Sequence, residues 1–494
     1  MADVVQRLIV LPPTCDGATG YIDDVGGGHG FTAMVGEFPE ATARVDLRIG
    51  ANCTDAWTYV RVEAAGYRPY TRHAVLIRAG IDRQIRIGSP PDPNRHGDTI
   101  LPPLEPLVVT AQRALVGSLR VVHHPTSKTH SYADDTGPRR VLFCSWFCAL
   151  RDWRDDATKA AAVLDRIAAS GYQGVRILRV LGESDTSGYF AGRAVLPEWS
   201  IPALVEFLRA CEARQLRVQL SCGRQWGTTE RMAWERRCAE AVQAAGLASV
   251  IALWEGDNEP HRNAPMRDSD EQYAFYRQLF EMVRSTLRPT PFCACGAPAN
   301  EDPENLYRAA QHSDVLEKHG SRDEDRCVKR AFTPWYWEGD PGHFPVPFWE
   351  GEPIPFTHPD AFMGTTSTGR IIATLAMNQL VGSAVTFFSG EAVRGTDPTI
   401  APGFNEVPRL LNYLPEDVAK ATHVSGGNVW WWLLSDGRFA TVVDADYWGP
   451  SALTPPKPVQ DCQIIGPGWT VREGTGAPKL EPTDGAALIV GHFA

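Results

Sequence analysis

The sequence predicts an α/β fold, a (β/α)8 TIM barrel flanked by an N-terminal β-sandwich and a small C-terminal β-domain, on three observations. From about residue 117, short apolar runs alternate with longer amphipathic ones, the pattern of repeated strand-then-helix units. Towards both ends, apolar and polar residues alternate singly, the period of strands with one buried face. A chain of 494 residues exceeds one ordinary core, and about 250 suffice for such a barrel. The expected boundaries are 1–105 for the sandwich and its linker, 106–420 for the barrel and 421–494 for the C-terminal domain.

In chain order, Arg44-Val45-Asp46-Leu47-Arg48-Ile49 and Thr58-Tyr59-Val60-Arg61-Val62-Glu63, punctuated by Gly26-Gly27-Gly28, mark sandwich strands. Ser89-Pro90-Pro91 through Pro102, Pro103 and Pro106 reads as a stiff linker unable to pair in a sheet. Eight strands follow, near Val141 to Cys148, Gly174 to Val180, Leu216 to Ser221, Ser249 to Trp254, Phe292 to Gly296, Asp314 to Lys318, Val346 to Glu350 and Ala384 to Phe388. Helical stretches separate them at Asp156 to Ser170, Ile201 to Arg214, Thr229 to Ala244, Asp270 to Thr286, Glu304 to Gln311 and Thr368 to Leu380. The connection Ser321 to Phe344 is poorly helical and rich in aromatics, as a substrate loop or an insertion would be. A last helix near Asn405 to Ala419 precedes a hairpin, Asn428 to Leu434 and Arg438 to Val443 about Ser435-Asp436-Gly437, and strands at Trp469 to Val471 and Ala486 to Val490. Trp430-Trp431-Trp432 must alternate faces, which suits interface packing.

Composition is that of a globular protein, with formal charge −11 from 48 basic and 59 acidic residues. That balance argues against a nucleic-acid or anionic-membrane surface. The opening segment has no basic region followed by a long apolar stretch, and no run is apolar enough to cross a bilayer. A cytoplasmic or phage-associated location is the expectation. The eleven cysteines are an odd number spread over predicted strands and helices, as reduced packing residues are. Cys293-x-Cys295 and His123-His124 lack partner pairs at zinc spacing, and no phosphate loop, dinucleotide fingerprint or nucleophile elbow follows a strand, so no metal or cofactor is expected.

The most informative run is Trp254-Glu255-Gly256-Asp257-Asn258-Glu259-Pro260, where an apolar strand breaks beside a carboxylate and an amide. A second carboxylate, Glu352, closes Pro347-Phe348-Trp349-Glu350-Gly351-Glu352-Pro353 at another strand end. Two strand-end carboxylates suit glycoside hydrolysis, with one as acid/base and the other as nucleophile. Glu350 competes for the second role, since residues two apart on a strand face the same way.

These residues resemble those of glycoside hydrolase clan A, barrels whose acid/base follows an asparagine on the fourth strand and whose nucleophile ends the seventh. The resemblance covers about residues 117 to 420, is nearest the cellulase/mannanase-like group, and implies a retaining, cofactor-free β-glycosidase acting on an oligo- or polysaccharide. It makes Glu259 the acid/base, with a raised pKa, and Glu352 the ionised nucleophile, and it sets Asn258 on the sugar 2-hydroxyl. Arg176, in Gly171-Tyr172-Gln173-Gly174-Val175-Arg176, matches the clan's second-strand arginine and is expected to bond the nucleophile. As a rim arginine it is expected to add little to stability. His319 occupies the usual sixth-strand position, but Ser321 stands where the clan has tyrosine, leaving Tyr336 as the substitute. The eighth strand, ending Thr386-Phe387-Phe388-Ser389, lacks the clan's tryptophan, so sugar stacking is expected from Trp146, Trp226 and Trp337 among fifteen tryptophans. Separately, Val62 to Tyr70 is similar to a repeat of carboxypeptidase-regulatory-like sandwich modules. The alternatives are a non-catalytic carbohydrate-binding or phage-structural protein on the same scaffold, or a lyase or isomerase, which would need a metal or a lysine base at a strand end.

Overall fold

The computed structural model describes residues 116–124, 129–178, 199–221, 229–258, 270–287, 290–296, 308–319, 346–353, 368–387, 398–401, 403–427, 429–444, 453–480 and 486–494, with the backbone of seven earlier strands. Those seven form two sheets. The strands β1 (Gln6–Val10), β2 (Met34–Glu37), β4 (Asp55–Ala64) and β5 (Tyr70–Arg78) pair antiparallel in the order β2-β1-β4-β5. A second sheet joins β3 (Thr42–Ala43), β6 (Gln84–Ile87) and β7 (Gly97–Ile100). Strand β7 lies inside the expected linker and pairs parallel with β6. No proline falls between Pro93 and Pro102, so its N–H groups remain able to bond. Residues 1–108 lead one unit of the chain, and the barrel and C-terminal sheet share the other.

The second unit begins with an antiparallel meander that the sequence reading missed, β8 (Arg120–His124), β9 (Thr129–Asp134) and β10 (Gly137–Arg139). Its apolar residues, Leu119 and Tyr132, pack with Val141, Phe143, Leu253 and Trp349 in one core cluster. Val141 precedes the first barrel strand, so the meander plugs the N-terminal end of the barrel. Tyr132 donates its hydroxyl to the Phe348 carbonyl at 3.0 Å and meets the Trp349 ring edge-on. Truncating a ring such as Phe143, 1% exposed and 5.1 Å from Trp349, would cost about 3–5 kcal/mol. Asp134 accepts bonds from Arg139 at 2.7 Å and Arg217 at 3.0 Å. Burial alone would raise its pKa, but the bonds from Thr136 and Arg139 hold it below the ordinary carboxylate value.

Eight parallel strands then close into a barrel: β11 (Leu142–Ser145), β12 (Gly174–Leu178), β13 (Arg217–Ser221), β14 (Ile251–Asn258), β15 (Phe292–Gly296), β16 (Leu316–Lys318), β17 (Phe348–Glu350) and β18 (Ala384–Phe387), the last pairing with β11. All eight expected strands are present, but β14 runs four residues past Trp254, so Asn258 is itself a strand residue. The helices are α1 (Ala149–Asp155), α2 (Ala157–Ala169), α3 (Ser200–Ala213), α4 (Thr229–Ala244), α5 (Asp270–Thr286), α6 (Thr368–Leu380) and α7 (Glu406–Leu411). Asp156 caps α2 by accepting from the Lys159 N–H. The expected helix Asn405 to Ala419 stops at Leu411, and Pro415 begins a tighter turn after it.

The C-terminal strands β19 (Thr422–Val424), β20 (Trp431–Leu433), β21 (Phe439–Asp444), β22 (Val459–Gly466), β23 (Thr470–Thr475) and β24 (Ala486–Phe493) form one sheet in the order β19-β20-β21-β24-β22-β23. The sheet docks on α6, which is buried on nearly every side. Contact there is backbone to backbone: a Cβ at Gly369 would lie 2.1 Å from the Ala486 carbonyl oxygen. Trp431 and Trp432 are both buried and Trp430 is half-buried.

Candidate active site

The C-terminal ends of the barrel strands form the rim where barrel enzymes carry their chemistry. Arg176 rises from the middle of β12, with its side chain wholly buried. Its Nε donates to Ser221 Oγ of β13 at 3.1 Å, and its Nη2 to Asn258 Oδ1 of β14 at 2.8 Å. The Nη1 donates to Glu352 Oε1 at 2.7 Å. The guanidinium also lies 5.0 Å from the centre of the Phe147 ring, a cation–π contact in a dry setting. It thus ties the end of the fourth barrel strand to the residue just beyond the seventh. The premise that Arg176 is an exposed rim arginine is corrected, since its side chain is wholly buried.

Two further carboxylates reach the same guanidinium, and neither was singled out from the sequence. Glu317 Oε1 of β16 lies 3.0 Å from Nη2, and Glu255 Oε2 of β14 lies 3.4 Å from it. Gln219 Nε2 of β13 donates to Glu317 at 3.0 Å, while Ser221 donates to Glu255. His319, just past β16, has Nε2 3.5 Å from Glu317 Oε1 and 3.7 Å from Glu352 Oε1. Burial holds the Glu317 carboxyl well above the ordinary range; Arg176 opposes this, and the neighbouring Glu255 reinforces it. Period two was the available signal for Glu317, which precedes His319 by two residues; it offered none for Glu255, because Asp257, two residues on, faces Arg231 and Tyr276 instead.

Glu350 does not share this face. Trp349 points into the barrel, where its Nε1 donates to Thr386 Oγ1 at 2.9 Å, so its strand neighbour Glu350 turns outward. There it pairs with Lys318 Nζ at 3.5 Å, both side chains at most 1% exposed. The expectation that Glu350 and Glu352 face alike fails because β17 ends at Glu350 and Gly351 breaks the alternation. Glycine is required there, as a Cβ would lie 1.5 Å from Glu317 Oε1.

Behind the end of β14 stands a second polar cluster. Asp257 pairs with Arg231 Nη1 of α4 at 2.6 Å and accepts from the Tyr276 hydroxyl of α5 at 2.8 Å. Gln272 donates to that hydroxyl at 2.7 Å. Burial pushes the Asp257 carboxyl up to about 6, against the pull of Arg231 and Tyr276. These bonds fasten the backbone immediately before Asn258. Trp146 is also placed by the structure, but not as an open stacking platform. Its ring is 1% exposed, edge-on to Phe207 of α3, and its Nε1 donates to Asp152 at 2.8 Å. The strand end that carries it turns directly into α1, which draws the ring into helix packing. Glu259, Trp226, Tyr336 and Trp337 lie outside the described residues. Among the described residues, no cluster of His, Cys, Asp or Glu is placed to hold a metal, and no helix is long and apolar enough to cross a membrane.

No protein-family model and no curated protein matches the chain. Among solved structures it is similar to a candidate glycoside hydrolase from Bacteroides vulgatus, at 10% identity and TM-score 0.47, covering 99% of this chain and 95% of that one. It is also similar to an exo-β-1,4-mannosidase from Opitutaceae bacterium strain TAV5, at 14% identity and TM-score 0.43, covering 61% of this chain and 64% of that one. For endo-glycoceramidase II from Rhodococcus sp. the values are 14% identity, TM-score 0.37 and coverage of 73% and 99%. Likenesses this distant carry no function by themselves; the chemistry of the rim residues does.

Proposed function

We propose that this chain is a retaining glycoside hydrolase that cleaves β-glycosidic bonds of an oligo- or polysaccharide by double displacement, with a sugar preference of the cellulase/mannanase-like kind. The observation that carries the reading is the setting of Glu352. It follows the seventh strand of a closed parallel barrel, 4% exposed, with Oε1 held 2.7 Å from a guanidinium shared with Asn258. Such a bond keeps a carboxylate ionised and fixes the direction of its attack.

Glu352 is assigned as the nucleophile, attacking the anomeric carbon through its second oxygen. Glu259, next in the chain after Asn258, is assigned as the acid that protonates the departing oxygen. It then acts as the base for the water that hydrolyses the glycosyl-enzyme, so configuration is retained. Asn258 is assigned to the sugar 2-hydroxyl and His319 to the nucleophile's flank. Trp226, Tyr336 and Trp337 are assigned to the sugar-binding surface. The scheme uses no cofactor.

A panel of aryl β-glycosides and polysaccharides, incubated with wild type and with Glu352→Gln, tests the proposal. Wild type should hydrolyse at least one member, and the variant should hydrolyse none. Saturable carbohydrate binding with no hydrolysis by wild type would instead make the barrel a binding module.

A further inference from the structure

Beneath the rim, three carboxylates share one guanidinium in a space that excludes water. Glu255 and Glu317 are 0% exposed and Glu352 is 4% exposed, as is expected of groups lining a filled barrel. The Glu317 carboxyl is faced by Arg176 from β12, Glu255 from β14, His319 from just past its own strand and Glu352 from beyond β17, while its backbone N–H donates to Cys293 Sγ of β15. Glu317 Oε1 and Glu352 Oε1 approach the same Arg176 and His319 groups. Two anions in these positions would compete for one positive charge, while Glu255 and Glu317 share both Nη2 of Arg176 and Nε2 of Gln219. Like-charged carboxyl groups this close do not both ionise at neutral pH.

We propose that Glu317 is a positioning residue that works as a neutral carboxylic acid, donating its proton in a hydrogen bond to Glu255 and so leaving the charge of Arg176 to Glu352. The role of Glu352 in this statement rests on the glycosidase reading; the protonated Glu317–Glu255 pair does not. The remaining bonds fit a neutral acid. Gln219 Nε2 donates to the carbonyl-type oxygen Oε1, while Gln219 Oε1 is occupied by the Thr386 hydroxyl at 2.9 Å, which fixes which end of the amide faces Glu317. Gly351 leaves room for the carboxyl directly against the backbone that leads to Glu352. The sharing of protons within such a pair belongs to both groups together.

Infrared spectroscopy of the intact protein reads the proton without any substrate. With Glu259→Gln in every arm, so that the assigned acid contributes no band, the otherwise wild-type chain at pH 8, above the values of about 6 for Asp152 and Asp257, should show the C=O stretch of a protonated carboxylic acid. That band should vanish in Glu317→Gln and shift in Glu255→Gln as its acceptor changes. The Glu255→Gln arm stands alone if Glu317→Gln does not fold. Absence of the band in the otherwise wild-type chain, its survival in Glu317→Gln, or an unshifted band in Glu255→Gln overturns the proposal. A glycosidase assay that fails while the band behaves as described would instead count against the function of Glu352.

Discussion

Replacing Arg176 by methionine keeps the aliphatic stem and removes the guanidinium, and the structure sets the size of the loss. The charge is 0% exposed and lies 2.7, 3.0 and 3.4 Å from the carboxyl oxygens of Glu352, Glu317 and Glu255. With Glu317 neutral, its removal leaves two buried anions uncompensated. Breaking a buried pair from one side costs about 3–5 kcal/mol. That is a large share of the roughly 5–15 kcal/mol that holds a domain folded. Urea unfolding followed by tryptophan fluorescence should show this loss for Arg176→Met at pH 7. A loss below about 1 kcal/mol, the value of an exposed pair, would refute the reasoning.

Glu350→Gln should lower stability, because it strands buried Lys318, while leaving the chemistry that Glu352→Gln abolishes; equal loss of turnover in both would undo the separation of the two glutamates. Gly351→Ala should cost about 1–3 kcal/mol and depress turnover by displacing Glu317, checked by thermal melting and rate together. Burial raises the Asp257 carboxyl to about 6, above the ordinary carboxylate value, so its contribution to stability is full at low pH and is lost as pH rises through about 6. The stability gap between wild type and Asp257→Asn should therefore be wider at pH 4 than at pH 7, by about 3 kcal/mol, and a flat difference would contradict the assignment. Glu259→Ala should accumulate a glycosyl-enzyme on an activated aryl glycoside and regain turnover with azide, giving a β-glycosyl azide; failure of azide to restore turnover in this variant would sink the acid/base role.

Periodicity carried the barrel well. The expected helices Thr229 to Ala244 and Asp270 to Thr286 coincide with α4 and α5, which each bury one face, and Thr368 to Leu380 coincides with α6, which is buried nearly all round. The meander escaped notice because its short strands contain polar histidines, and the packing of Tyr132 against Trp349 that ties it to the core is a tertiary contact. At the rim, the resemblance to clan A singled out Arg176, Asn258 and Glu352, and Arg176 lies within hydrogen-bond reach of the other two. Glu255 and Glu317 stayed hidden because a carboxylate within an apolar strand becomes intelligible only when the guanidinium it shares is in view. The orientation of Glu350 was misjudged for a related reason. A strand that ends one residue early turns the next side chain elsewhere, and nothing in the run Trp349-Glu350-Gly351-Glu352 marks that end.

The central claim, that Glu352 attacks a sugar while Arg176 holds it, is tested most directly by trapping the glycosyl-enzyme. A 2-deoxy-2-fluoro aryl β-glycoside, matched to whichever substrate the panel identifies, slows both steps and lets the intermediate accumulate. Intact mass should rise by one fluorosugar per chain, and peptide mapping should place it on Glu352. Labelling of Glu350 or Glu255 instead, or no labelling together with a product of inverted configuration, would contradict the account.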